Sequence, residues 1–334
     1  MIFGNISHII LLGGSRCTAE LALYLKDATN FKYNLFTSSR QLGDIIFANG
    51  QTFEEYLIEN EITYFVTDDI NQNDEFLNSI SRESLAIGIG EAWSFNQEVI
   101  ALFDGRLIDL MGIRLPQYRG GAHYTWQILK GNKIGACNLQ VINEEMIQGV
   151  FDSGEIIKFK EYLFPNEARI PDDYFSFATS QEILFIKEFI DEISAGHHFQ
   201  TFKLQENFSM YFPRLHTLKN AFIHWQWDSL DIEKFVCAFD DPYAGVSTQI
   251  HGKLVRVKKA RLENNDGPFH PFQCGLIYKI YQGNLYIATR QGTIIISEVN
   301  DEFGNSVLSE LRTGDRFFTP QDWIENGLKT KIEY

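Results

Sequence analysis

The first two thirds of the chain alternates two kinds of apolar pattern. Short, largely apolar, β-rich runs at residues 8–12, 33–37, 63–66, 85–89, 107–110 and 138–142 read as strands. Between several of them, at residues 18–26, 53–57 and 75–80, apolar positions recur every three or four residues, which predicts helices. Strands and helices in strict alternation predict an α/β unit with a mostly parallel sheet and helices on both faces. Ser94-Phe95-Asn96-Gln97 has the form of a capping box and predicts a helix from there to Phe103. Trp126 to Lys130 is a further helical stretch stopped by Gly131, as a helix with a glycine after its last turn should be. Pro171-Asp172-Asp173 opens a long amphipathic pattern that closes at Gly196, with proline and acids at the end where the helix dipole favours them.

Beyond residue 205 the texture changes. One helix is predicted from Ser229 to Phe239, ended by Asp240-Asp241-Pro242. Then come β-rich runs at residues 253–260, 276–281, 285–289 and 293–299, with Gly283-Asn284 and Gln291-Gly292 as hairpin turns. Short strands joined by glycine turns predict a small β-barrel or curled sheet. The expected division is an α/β domain at 1–205 and a β-rich domain at 206–334.

The 334 residues are 44% hydrophobic and 14% aromatic, ample for a packed core. A formal charge of −15 argues against a nucleic acid as the main partner, because a polyanion is held chiefly by Lys and Arg. No apolar run has the length of a membrane helix, and the first residues lack a basic leader, so a cytoplasmic location is expected and no membrane partner. Cys17, Cys137, Cys237 and Cys274 are widely spaced, which reads as buried free thiols, and no cluster suggests a metal. The basic group Lys253, Arg256, Lys258, Lys259 and Arg261 is expected to be a solvated face. The hairpins leave sheet edges through which two copies could pair as a homodimer.

The chemistry concentrates between Asp109 and Ile157. The apolar run ending at Leu110 meets Gly112, and Leu115-Pro116-Gln117-Tyr118-Arg119-Gly120-Gly121-Ala122 follows before apolar periodicity resumes at Trp126. That is a strand running into a long turn, at the edge of an open sheet where ligands bind. A second motif, Phe151-Asp152-Ser153-Gly154-Glu155-Ile156, sets an acid in a tight turn before a strand.

These two motifs, with the upstream Gly88-Ile89-Gly90-Glu91-Ala92-Trp93-Ser94-Phe95, resemble the folate-dependent formyltransferase family. Trp225-Gln226-Trp227 and Phe239-Asp240-Asp241-Pro242-Tyr243-Ala244-Gly245 are similar to the start of the C-terminal domain of its longer members. The resemblance implies a Rossmann-like first domain, an OB-like barrel as the second, and formyl transfer from 10-formyltetrahydrofolate to an amine. It implies cofactor contacts at Gly88, Ile89, Gly90, Ala92, Trp93, Met146 and Asp152. For the acceptor, Tyr118, Tyr124 and Trp126 offer stacking surfaces, Arg114 and Arg119 phosphate contacts, and Gly120-Gly121 a turn that permits close approach. The acidic charge favours a nucleotide-linked amino sugar over tRNA as acceptor.

The family uses an Asn-x-His pair and the aspartate of the later loop. Counting back from Pro116, those positions are Asp109 and Met111, with Asp152 as the third. A thioether cannot carry a proton, and an ionised carboxylate repels an oxyanion. The first expectation is therefore a rearranged active site, in which a protonated Asp109 donates a hydrogen bond and His123 is a candidate shuttle. The second is a non-catalytic protein that keeps a folate or nucleotide-sugar pocket.

Overall fold

A computed structural model describes residues 3–147, 152–263 and 266–329. Phe151, at the head of the second motif, lies outside the described residues. The chain folds into two compact units, neither of them one continuous segment. The first comprises Met1–Arg119, Ile134–Leu163 and Phe177–Tyr211; the second comprises Gly120–Lys133, Phe164–Ser176 and Phe212–Tyr334.

The first unit is built on strands β1 (His8–Gly13), β2 (Lys32–Thr37), β3 (Phe65–Val66), β4 (Ser84–Ile89) and β5 (Leu107–Met111). The two-residue strands β6 (Arg119–Gly120) and β9 (Tyr211–Phe212) mark points where the chain passes between units, and β7 (Ile134–Val141) and β8 (Ile156–Leu163) complete the sheet. Its strand order is β3-β2-β1-β4-β5-β7-β8. The first five strands are mutually parallel, and β7 and β8 run antiparallel to their neighbours, so the sheet is mostly parallel, as the alternation predicts. Helices on both faces explain why β4 is buried at every position.

Strand alternation sorts the core into two faces. Ile9, Leu11, Leu85, Ile87, Ile108, Leu110, Cys137, Leu139 and Ile157 share one cluster with Leu21 and Leu25 of the helix Arg16–Ala28 and with Phe185, Phe189 and Ile190 of the long helix Pro171–Ser194. Ile10, Leu12, Phe36, Ala86 and Leu107 lie on the other face, covered by Val99, Ile100 and Phe103 of the helix Gln97–Phe103. Asp109 and Met111 lie on this second face, where the apolar layer is interrupted.

Two local details differ from the sequence expectation. The helix after β4 is capped by Asn96, whose side chain accepts the Val99 amide hydrogen at 2.8 Å, so it starts two residues after the expected Ser94. Ser94 instead offers its carbonyl to Asn71. The hairpins expected at Gly283-Asn284 and Gln291-Gly292 each turn one residue earlier: at Gln282-Gly283, both with positive φ as a two-residue turn between twisted strands requires, and at Arg290-Gln291.

Gly112, directly after β5, has a packing reason to be glycine. A side chain there would collide with the carboxylate of Glu182, which comes up from the helix Pro171–Ser194. Burial raises the Glu182 carboxyl to about 7. A raised acid contributes stability below its ordinary pKa and loses it as pH rises through about 7. Glu182→Gln should therefore match the parent at pH 5 and exceed it by about 2 to 3 kcal/mol at pH 8.5, measured by urea unfolding at both values.

The second unit carries a five-stranded antiparallel sheet of β10 (Val246–Ile250), β11 (Lys253–Glu263), β12 (Ile277–Tyr281), β13 (Asn284–Thr289) and β14 (Gly292–Asn300), ordered β10-β11-β14-β13-β12. The segment at 314–318 bridges its two edges. Phe318 exchanges backbone hydrogen bonds with Gln249 on β10, and Phe317 and Asp315 bond to Gly275 and Ile277 beside and on β12. These bridges draw the two edges of the curled sheet toward closure, covering each edge strand in part. In its basic group, Lys258 pairs with Asp241 and Lys259 with Glu298 at 2.7 Å. The helix His123–Lys130 packs on the helix Ser229–Ala238, with the Thr125 hydroxyl donating to the Ala238 carbonyl at 3.2 Å. All four cysteines are buried free thiols. No described helix is long and apolar enough to cross a membrane.

Candidate active site

Asp109 lies near the carboxyl end of β5, paired with Gly88 of β4 on one side and with Gln140 of β7 on the other. Opposite residues in a sheet project from the same face, so the Gln140 side chain stands beside that of Asp109. Asp109 is 6% exposed. Glu91, one residue past the positive-φ Gly90, folds back so that its carboxylate fills the space a Gly88 side chain would need. Asp152 is buried in the turn before β8, with a left-handed backbone at φ 55°.

Three acids are thus gathered on one face, and their electrostatics follow from burial. Desolvation holds the Asp109 carboxyl well above the ordinary aspartate range, and the Glu91 and Asp152 carboxylates push it the same way. The Gln140 amide opposes this only in part. Burial also raises Glu91. Burial and both neighbours thus favour the protonated form of Asp109, and a protonated carboxyl donates a hydrogen bond. Among the described residues no group of His, Cys, Asp and Glu is arranged to hold a metal ion.

Gln140 is buried; its amide nitrogen faces the Asp109 carboxyl, and its amide oxygen accepts no hydrogen bond within the protein. Leaving such an oxygen unmet costs about 1 to 3 kcal/mol, which a ligand's donor would recover. Met111 ends β5 on the same face, half-buried and packed toward Ile113, Leu115 and Ile156. Asn138, directly across from Met111, donates from its amide to the Ile113 carbonyl and so holds the turn after the strand.

Of the expected cofactor residues, Gly88 and Ile89 end β4, and Gly90 accepts a hydrogen bond from Gln41 at 2.7 Å. Ala92 is exposed. Trp93 is half-buried with its indole N–H on the Thr67 carbonyl at 3.2 Å. Trp93 and Met146 pack against one apolar cluster that includes Ile142, on the face that carries Asp109.

The expected acceptor residues fare differently. Tyr118 is 2% exposed and has no face left for stacking, because its backbone folds onto the Arg114 carbonyl and the ring goes inward. Arg114 pairs with Glu161 at 2.6 Å. Arg119 is buried and works as a strap. Its guanidinium grips Glu206 with two bonds of 2.5 and 2.9 Å, bonds Ser209 at 3.0 Å, and donates to the Asp152 carbonyl at 3.0 Å. In return it holds the Glu206 carboxyl below the usual range. Both cations expected at a phosphate are thus engaged by carboxylates of the protein itself. Gly120, Gly121, His123, Tyr124 and Trp126 belong wholly to the second unit. There the Trp126 indole donates to the Pro213 carbonyl at 2.8 Å, and Tyr124 sits among Phe164, Tyr174 and Phe175.

Arg119→Met should loosen the Asp152 turn. A charge-assisted hydrogen bond is worth about 2 kcal/mol, so the thermal midpoint should fall by roughly 4 to 8 °C, read by calorimetry.

Residues 217–310 match the model of the formyl transferase C-terminal domain. A methionyl-tRNA formyltransferase of Clostridium tetani is 22% identical over 226 residues, covering 67% of this chain and 68% of that protein. One from Mycoplasma genitalium is 25% identical over 278 residues, covering 79% and 82%. The chain is thus similar to formyltransferases along most of its length, and residues 217–310 match their C-terminal domain. A crystal structure of an N-formyltransferase from Helicobacter canadensis, in complex with folinic acid and dTDP-3-aminofucose, shares the formyltransferase fold. It superposes with a TM-score of 0.64 at 17% identity, over 87% of this chain and 98% of that one.

Glu91 was not among the sequence candidates for this site. Its signal was an acid directly after Gly88-Ile89-Gly90 at a strand end, but only the fold-back over Gly88 brings it to Asp109.

Proposed function

We propose that this protein transfers a formyl group from a reduced folate to an amine, through a site in which a protonated Asp109 replaces the usual amide donor. The supporting observation is the burial of Asp109 beside Glu91 and Asp152, which keeps a proton on a carboxyl where an ionised one would repel developing negative charge.

The unmet amide oxygen of Gln140, next to Asp109, fits a donor on the polar edge of a pterin, and the layer of Trp93 and Met146 fits its flat apolar face. When bound, 10-formyltetrahydrofolate supplies the formyl carbon. Asp109 holds the hydrogen bond to the formyl oxygen as charge grows there. Asp152, fixed through its backbone by Arg119, would accept the proton that the attacking nitrogen releases and pass it, directly or through water, to the folate nitrogen as its bond to the formyl carbon breaks. Glu91 keeps Asp109 protonated, and Met111 takes no proton.

For the acceptor we favour a nucleotide-linked amino sugar over tRNA. The net charge of −15 disfavours a polynucleotide, and the fold neighbour from Helicobacter canadensis holds dTDP-3-aminofucose. The test is incubation with 10-formyltetrahydrofolate and a panel of nucleotide-linked amino sugars, followed by mass spectrometry. A formylated product above the enzyme-free rate is expected, and its absence across the panel, with methionyl-tRNA as acceptor also negative, would sink the catalytic reading. The thioether at Met111 favours one alternative, a folate- or nucleotide-sugar-binding protein without turnover. Titration calorimetry with folinic acid separates the two, since tight binding without product is its signature.

A further inference from the structure

The face that carries Asp109 continues past Met111 into a cavity of about 360 Å³ within the first unit. Its inner wall is Leu115, Pro116, Gln117 and Asn138, from the turn after β5 and from β7. Its outer wall is the segment at 202–208, held in place by the grip of Arg119 on Glu206 and Ser209 and by the Met210 amide on the Pro116 carbonyl.

Three features single it out. Phe159, Phe202 and Phe208 surround it at 40%, 48% and 53% exposure, so three phenylalanine rings stand in water around one opening. Singly exposed apolar residues are ordinary, but a cluster around a concavity is the signature of a binding site. Asn138, on the inner wall, is 0% exposed, and its Oδ1 accepts no hydrogen bond, although its amide nitrogen is engaged. Gln117, on the same wall, has a buried Oε1 in the same condition. Two unmet acceptors behind an aromatic rim suit a ring with an apolar face and N–H or O–H donors on its edge. Asn138 and Gln140 are two residues apart on one face of β7, so the cavity wall lies about 7 Å along the strand from the row that holds Asp109.

We infer that this cavity holds a ring of the amine acceptor, with Phe159, Phe202 and Phe208 against its face and the amide oxygens of Asn138 and Gln117 taking hydrogen bonds from its edge. The inference rests on the acyl-transfer reading for the identity of the ligand as the acceptor, and on the cavity alone for binding. Either the base or the amino sugar of a nucleotide-linked acceptor has this chemistry.

The experiment is titration calorimetry of the full chain with thymidine and, separately, with methyl 3-aminofucoside, on the parent and on a Phe202→Ala/Phe208→Ala variant. Both side chains are about half in water, so the variant is expected to keep its thermal midpoint. The expected result is binding of one probe, weakened at least 10-fold in the variant, and the probe that binds says which ring the cavity takes. Failure of both probes to bind, or equal binding by parent and variant, overturns the inference. A steady-state assay separates the two proposals. Turnover with an acceptor KM that the variant leaves unchanged refutes the cavity and spares the reaction, whereas variant-sensitive binding without turnover does the reverse.

Discussion

Met111→His is expected to raise kcat for formyl transfer by about 100- to 10,000-fold, the usual contribution of a positioned general acid–base group. Residue 111 ends β5 on the face shared with Asp109, half-buried, so an imidazole there would lie beside the acidic cluster without being sealed in. Asp152 could then orient the ring and stabilise its charged form while the ring carries the proton from the attacking nitrogen to the leaving one. The parent must route that proton through Asp152 or water. Exchanging methionine for a ring of similar volume should cost under roughly 1.5 kcal/mol at a half-buried position. Steady-state rates with the same acceptor, across pH 5 to 9, would show the gain together with a new acidic limb as the imidazole protonates. An unchanged kcat would place proton transfer somewhere other than the end of β5.

The sheet was legible because its strands are apolar on both faces and each is punctuated by glycine or by a helix of clear period. His8–Gly13 and Ser84–Ile89 admit no other reading in a soluble-type composition. The placement of Asp109 at a strand end was legible for the same reason. What the chain order concealed depends on contacts far apart in sequence. Arg119 looked like a phosphate ligand because a cation beside two glycines often is one, yet its partner Glu206 lies 87 residues away. Glu182 sits inside a long amphipathic helix with nothing local to distinguish it from a solvated acid; its reason for burial is the bare backbone of Gly112. The composition of the second unit was hidden too. Helix His123–Lys130 reads as one more helix of the α/β series, and only its packing on Ser229–Ala238 assigns it to the second unit.

Asp109→Asn gives the second large effect, and its sign depends on pH. Burial and the neighbouring acids Glu91 and Asp152 raise the Asp109 carboxyl, so below that raised value it is a donor and the asparagine variant should resemble the parent. As pH climbs through that raised value the parent loses its donor and gains a negative charge facing the formyl oxygen. The asparagine amide donates at every pH. Loss of one oxyanion donor costs about 100- to 1,000-fold, so the variant should exceed the parent by about that factor on the alkaline side. The same substitution removes a buried acid, and linkage fixes the accompanying change in stability. A raised acid contributes its stability below the ordinary aspartate range and loses it as pH rises through the folded value, so the asparagine variant should also unfold less readily above that point. Paired pH profiles of kcat/KM and of the urea midpoint would therefore rise together in the variant relative to the parent. If the two alkaline limbs coincide, Asp109 is not the donor at the formyl oxygen. If activity separates while stability does not, the proton on Asp109 is governed by bound ligand and not by burial in the free protein.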